Sequence, residues 1–268
     1  MQISKISQQE FLDAFQIYLE CNLKAGGFAL EDAMLYASAE GGKRIRPTLV
    51  RLGALSCGDA PLEDVLALAY AVELVHSYSL VHDDLPAMDD DDYRRGKLSV
   101  HKKFGEANGI LTGDALLTEA ARHLVKSAKG KGEQFLTACD EILLGAEKMV
   151  NGQVKDIAGC KTREEHLTTY SDKTGALILA SFRAGAILAG AESFDDATEY
   201  AKHLGLAFQL ADDLLDDDGE PSIINAIGRA QTQTLLKEET AKAVEAARRL
   251  ENKEELIAFV NMLCVRQK

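Results

Sequence analysis

The 268-residue chain has no tryptophan, four prolines (47, 61, 86 and 221) and little that reads as a strand. Alternating apolar and polar runs are almost absent, whereas apolar residues recur at spacings of three and four nearly everywhere. That pattern argues against a β fold and predicts an all-α protein of roughly ten helices. The five cysteines (21, 57, 139, 160, 264) are scattered, odd in number and free of CxxC spacing. They predict free thiols in a reducing compartment rather than a disulfide framework. Positive charge is in deficit, with 30 Lys and Arg against 43 Asp and Glu and a net charge of −13. This argues against nucleic-acid binding. It leaves anionic substrates open, provided that metals and local arginines reverse the field at a site. No apolar run reads as long and clean enough to span a membrane, and residues 1–20 lack a signal-peptide core. The expectation is a soluble cytoplasmic protein. With 46% hydrophobic residues and no linker, 1–268 reads as a single domain.

What the chain does have is acid in concentrated form. Residues 73–96 read ELVHSYSLVHDDLPAMDDDDYRRG, an apolar helix that ends in Asp83, Asp84, Asp89, Asp90, Asp91 and Asp92. Carboxylates so dense repel one another, and a bound cation is the usual remedy. Their oxygens suit Mg²⁺ or Mn²⁺, and Mg²⁺ commonly takes substrate phosphate oxygens as well. Arg94 and Arg95 then read as clamps on the same phosphates. Helix 62–85 should be buried and central, about 36 Å long. His76, Ser79 and Asp83 share one stripe of it. A lone helical histidine is more often a core residue, but this stripe favours a ligand contact for His76. Pro86 breaks the helix, which can swing Asp89 back over Asp83.

A second cluster, DDLLD, holds Asp212, Asp213 and Asp216. On a helix Gln209, Asp212 and Asp216 share a face, and acidic pairs at that spacing destabilise the helix unless screened. Either cluster alone could be a solvated helix end. Two, each closing an apolar helix, point to one shared cation site. GGKRIRP at 41–47 puts Lys43 and Arg46 on one face if Pro47 lies in the first turn of the next helix. It reads either as a basic helix boundary or as a loop that grips phosphate. Lys173-Thr174-Gly175 interrupts an apolar helix over 164–190. It reads either as a surface lysine beside a tolerated glycine or as a kink that aims Lys173 and Thr174 at a phosphate. Residues 97–109 read as a loop or lid. A helix over 133–150 runs into NGQVKD, where Gln153 and Asp156 stand three apart.

Taken together and in order, these motifs resemble the trans-isoprenyl diphosphate synthase family. GGKRIRP is similar to its GGKRxRP. Residues 83–89 have the DDxxxxD form of its first aspartate motif, followed by RRG. Lys173-Thr174-Gly175 matches its KT motif and FQLADDLLD its second aspartate motif. The stretch from His76 to Gly96 is very similar to the bacterial-type farnesyl diphosphate synthases.

The resemblance implies a helical bundle around a deep central cavity, homodimeric, and a catalytic role for Asp83, Asp84, Asp89, Arg94, Lys173 and Asp212. It implies that Asp83, Asp84, Asp89, Asp212 and Asp216 hold a cluster of three Mg²⁺ ions, with Mn²⁺ as the alternative. Arg94, Lys173, Thr174 and Gln209 would bind the allylic diphosphate. Lys43, Arg46, His76 and Arg95 would bind isopentenyl diphosphate. Tyr78 and Ser79, five and four positions before Asp83, would set the length of a fifteen-carbon farnesyl product. Geranyl or geranylgeranyl products and a non-catalytic partner subunit are the alternatives. One departure stands out: a lysine-bearing GKD segment that usually follows the second motif is missing after Asp218.

Overall fold

The computed structural model describes residues 1–24, 26–39, 42–191, 193–215 and 222–264. It is all-α, apart from one hairpin of two-residue strands. The first helices are α1 (Gln8–Lys24), α2 (Glu31–Ser38), α3 (Ile45–Cys57) and α4 (Leu62–Asp83). The hairpin β1 (Tyr93–Arg94) and β2 (Lys97–Leu98) follows, then α5 (Val100–Phe104), α6 (Glu106–Ser127) and α7 (Glu133–Ala158). A single helical rod then runs through α8 (Arg163–Tyr170), a π-helical turn (Ser171–Gly175) and α9 (Ala176–Leu188). The chain closes with α10 (Asp195–Leu215), α11 (Ile223–Ile227), α12 (Arg229–Ala247) and α13 (Lys253–Cys264).

Helix α4 is the axis. It packs against α1, α2, α3, α6, α7 and α9, and Val65 to Val75 is buried without a break. Pro61 is its N-cap and Glu63 and Asp64 sit in the positive first turn. By length and composition α4 would pass for a membrane span, contrary to the expectation above, but most of it is buried inside the bundle. Its apolar surface is therefore spent on the protein core.

Close approach of α3 to α9 is set by two glycines. A Cβ on Gly53 would lie 1.9 Å from the Phe182 carbonyl oxygen, and one on Gly185 would lie 2.0 Å from that of Val50. The same contact buries Leu49, Leu52, Phe182 and Tyr200 in one cluster. Buried ion pairs fasten the periphery. Arg44 Nη1 is 2.6 Å from Glu73 Oε1 on α4, and Arg51 Nη1 is 2.5 Å from Glu255 Oε1 on α13.

Two segments differ from the sequence expectation. Residues 100–104 and 106 onward are helical rather than a loop, with Gly105 at φ +93° as the joint between α5 and α6. Helix α7 runs eight residues beyond Val150, and Gly152 packs directly against the backbone of Asp172 and Lys173 instead of ending the helix. Cys21, Cys57, Cys139 and Cys160 are free thiols, as expected.

Candidate active site

The first aspartate cluster is shaped by the end of α4. Pro86 cannot continue the helix, and the chain turns back so that the Asp89 N–H donates to the Asp83 carbonyl oxygen at 2.8 Å. Asp89 therefore returns over Asp83, as the break predicts. Burial raises the Asp83 carboxyl to about 6; Asp89 and Asp84 add to the rise, and Lys173 and Arg94 oppose it. Asp89 is raised for the same leading reason, burial, with Asp91 and Asp156 adding to it. Asp84 is 2% exposed and faces away from that pair. Its Oδ1 accepts from Arg94 Nε at 2.7 Å, and Arg94 also holds Asp91.

The hairpin sends the two arginines to different partners. Arg95 and Gly96 both have positive φ, +55° and +77°, between the pairs Arg94↔Lys97 and Tyr93↔Leu98. Two left-handed residues make a type I′ turn, which suits a two-residue hairpin. Arg94 reaches the aspartates, and Arg95 Nη2 lies 3.5 Å from His76 Nε2. Beside them Arg46 has an Nε that is buried without a hydrogen-bond partner. Burial lowers its guanidinium to about 10; Arg95 lowers it further, while Glu73 and Asp212 oppose. His76 is pushed well below the ordinary imidazole value by burial and by Arg46, Arg95, Arg44 and Arg94. Lys43 is exposed on the lip of the same hollow of about 650 Å³, while Arg44 turns inward to Glu73. Cations crowded with so few carboxylates give this hollow a positive field that favours an anion.

At His76 the folded and unfolded chains differ in proton uptake. The unfolded chain takes up a proton near pH 6.5 and the folded chain does not. This histidine therefore removes stability as pH falls below 6.5, and none above it. Chemical denaturation of His76→Gln should show a smaller stability loss between pH 7 and pH 5 than the parent chain does. An unchanged difference would mean that His76 is protonated in the fold.

The KT segment is a π-helical turn that widens the rod over residues 171–175. A Cβ on Gly152 would lie 2.2 Å from the Lys173 nitrogen, so α7 is pressed directly against this turn. Lys173 Nζ meets Asp156, and Lys155 meets Asp172. Thr174 Oγ1 donates to Gln209 Oε1 at 2.9 Å, and Gln209 Nε2 donates to Asp213 Oδ1 at 3.0 Å. Asp213 is buried, and its other oxygen accepts from Tyr170 at 2.5 Å. The charge of Asp212 acts on Arg46, which lines the basic hollow. Asp216, Gly41 and the residues where the GKD segment is missing lie outside the described residues. Gly152→Ala should displace the π turn, costing about 1–3 kcal/mol. A thermal melt reads it, and an unchanged melting temperature would contradict this packing.

A second hollow of about 290 Å³ lies on the other side of α4's last turns, lined by Tyr78, Ser79, Asp83, Met149, Val150, Gln153, Lys173 and Thr174 among others. The two hollows share Arg46, His76, Leu80 and Thr174 in their walls. The Asp83 end and the Gln209 end of the site thus border one interior space.

The polyprenyl synthetase family model matches residues 28–258. The chain belongs to the polyprenyl synthetase family. It is 41% identical over 214 residues to a farnesyl diphosphate synthase of Bacillus subtilis, covering 76% of this chain and 72% of that one. To a Geobacillus stearothermophilus farnesyl diphosphate synthase it is 37% identical over 274 residues, covering 92% of each. The apo crystal structure of an FPP/GFPP synthase from Zymomonas mobilis superposes with a TM-score of 0.87 at 30% identity, covering 96% of both chains.

Within this polyprenyl synthetase the donor set fits a hard divalent cation. Asp83 and Asp89 are partly desolvated carboxylates whose proton affinity is raised chiefly by burial, Asp89 adding to the rise at Asp83, so each carries a cost of ionisation. A cation would relieve it, and oxygen donors are what Mg²⁺ prefers. Two residues went unassigned in the sequence. Gln153 lines the second hollow with its Nε2 buried and without a hydrogen-bond partner, and Asp156 holds Lys173. Their three-residue spacing before a π turn was the signal.

Proposed function

We propose that this polyprenyl synthetase condenses isopentenyl diphosphate with an allylic diphosphate to make farnesyl diphosphate. The observation that carries the reading is the shared wall: Asp83 at the acidic end of α4 and Gln209, one turn before Asp212 on α10, line adjoining hollows, one apolar and one basic, joined through Arg46, His76 and Thr174. Asp83 and Asp89 with Asp212 would hold Mg²⁺, Asp216 extending the set, and Asp84 would keep Arg94 in place. Mg²⁺, when bound, offsets charge growing on the departing diphosphate.

The chain's own groups do the rest. Lys173 leaves Asp156 for the allylic diphosphate, and Arg94, Thr174 and Gln209 orient it. Lys43, Arg46 and Arg95 hold isopentenyl diphosphate, with neutral His76 as a hydrogen-bond partner. Met149 and Val150 help wall the tail pocket and keep water from the allylic cation. The proton lost after carbon–carbon bond formation goes to the released diphosphate, since the tail pocket needs no base of its own.

Residues 1–268 would work as one unit and as a homodimer. Leu136, Leu143, Val150 and Ile157 on α7 are exposed at seven-residue intervals, with Val154 beside them, forming an apolar stripe. A second copy would cover it. Free thiols at Cys21, Cys57, Cys139 and Cys160 suit a reducing cytoplasm.

Incubating the chain with labelled isopentenyl diphosphate, Mg²⁺ and dimethylallyl, geranyl or farnesyl diphosphate tests the reading. Incorporation with dimethylallyl and geranyl acceptors, ending at fifteen carbons, supports it. Folded protein without incorporation favours a non-catalytic partner subunit, and extension of the farnesyl acceptor favours a geranylgeranyl product.

A further inference from the structure

The aspartate loop has an outer face that the proposed reaction does not use. Asp89 points toward Asp83 and Lys173, and Asp91 pairs with Arg94. Asp90 and Asp92 face His101, at the start of α5. One carboxylate oxygen from each and a ring nitrogen of His101 all lie within 4.8 Å of one another. His101 is 6% exposed, and its Nε2 is buried with no hydrogen-bond partner. An orphaned ring nitrogen in a desolvated place costs free energy, and it is an independent sign of a missing ligand. The other ring nitrogen, Nδ1, lies 3.0 Å from the buried Ser99 hydroxyl, and the Ser99 N–H donates to the Asp92 carbonyl oxygen. Serine thus fixes the ring and ties it to the aspartate loop, the role of an outer-shell partner at a metal centre.

We infer that Asp90, Asp92 and His101 form a second cation site, selective for a nitrogen-accepting divalent ion of the Zn²⁺ class and separate from the diphosphate-bearing one. Two carboxylates and an imidazole suit Zn²⁺ better than Mg²⁺, which favours all-oxygen sets. Ligand atoms on a tetrahedral Zn²⁺ stand about 3.4 Å apart, from bonds of about 2.0–2.1 Å. The loop must therefore close by little more than an ångström. Asp90 and Asp92 are exposed, so their side chains have room to make that move. Lys102 Nζ now lies 2.7 Å from Asp92 Oδ1, standing where the ion's charge would be. Its side chain is partly exposed and can swing into solvent. Occupancy would fasten the start of α5 to the loop that carries Asp89 and Arg94.

Calorimetric titration of the full chain with Zn²⁺, in excess millimolar Mg²⁺ to saturate hard oxygen sites, tests this. The expected result is one Zn²⁺ per chain, weakened about 10–100-fold or more in Asp90→Asn. Asp90 has φ +53°, a conformation asparagine adopts readily, so this variant should fold. His101→Gln should weaken binding similarly; should that buried substitution unfold the chain, Asp92→Asn takes its place. No Zn²⁺ uptake, or uptake equally tight in Asp90→Asn, would overturn the inference.

Discussion

Asp83→Asn should lower prenyl transfer by about 10²–10³-fold while the chain stays folded, on the scale of losing one preorganised electrostatic contact in the transition state. The carboxyl it replaces is half-buried near Asp89, and its proton affinity is already raised to about 6. Ionising it therefore opposes the fold, and a neutral isostere relieves that opposition. The protein should melt no lower than the parent at pH 7. Asp84→Asn should behave differently. Asp84 carries the Arg94 guanidinium in a buried, charge-assisted contact, so its loss should lower both the melting temperature and turnover. Steady-state rates and melts on the two variants separate these roles. Equal loss of rate with no difference in stability would mean that both carboxylates face the cation.

Ser79→Phe should move the product from fifteen carbons to ten. Ser79 and Tyr78 line the apolar hollow on its α4 side, four and five positions before Asp83. The Ser79 hydroxyl is turned back onto the His76 carbonyl oxygen at 2.9 Å, so it occupies almost none of the pocket. A phenyl ring there fills space that the growing chain needs. Tyr78 is nearly buried, its ring edge-on to His82 at 5.9 Å. Removing that ring in Tyr78→Ala opens the wall instead and should lengthen the product. Chromatography of the dephosphorylated products reads both changes. An unchanged fifteen-carbon product from Ser79→Phe would place the floor of the pocket elsewhere.

Much of this site was legible in the residues because its chemistry is dense and local. Proline at 86 announced the turn that returns Asp89 to Asp83, and Lys-Thr-Gly announced a distortion that proves to be a π turn. Long-range pairing was not legible. Nothing in DD distinguishes Asp83, open to the hollow, from Asp84, buried against Arg94 ten residues on. Likewise, Asp213 sits beside Asp212 but belongs to Tyr170 on another helix. The hairpin escaped notice because its turn needs Arg95 at positive φ, a conformation no local pattern favours for arginine. Residues 97–109 read as a loop because glycines at 96, 105 and 109 punctuate them. Gly105 joins two helices, and Gly109 lies inside α6 against His101.

The central claim is that the acidic ends of α4 and α10 act together on one diphosphate. A crystal soaked with Mn²⁺ and inorganic pyrophosphate tests it directly through anomalous scattering. The account predicts Mn²⁺ peaks bridging pyrophosphate to Asp83 and Asp89 on one side and to Asp212 on the other, with Lys173 drawn off Asp156. Pyrophosphate held by the arginines alone, with no metal between the two helix ends, would contradict it.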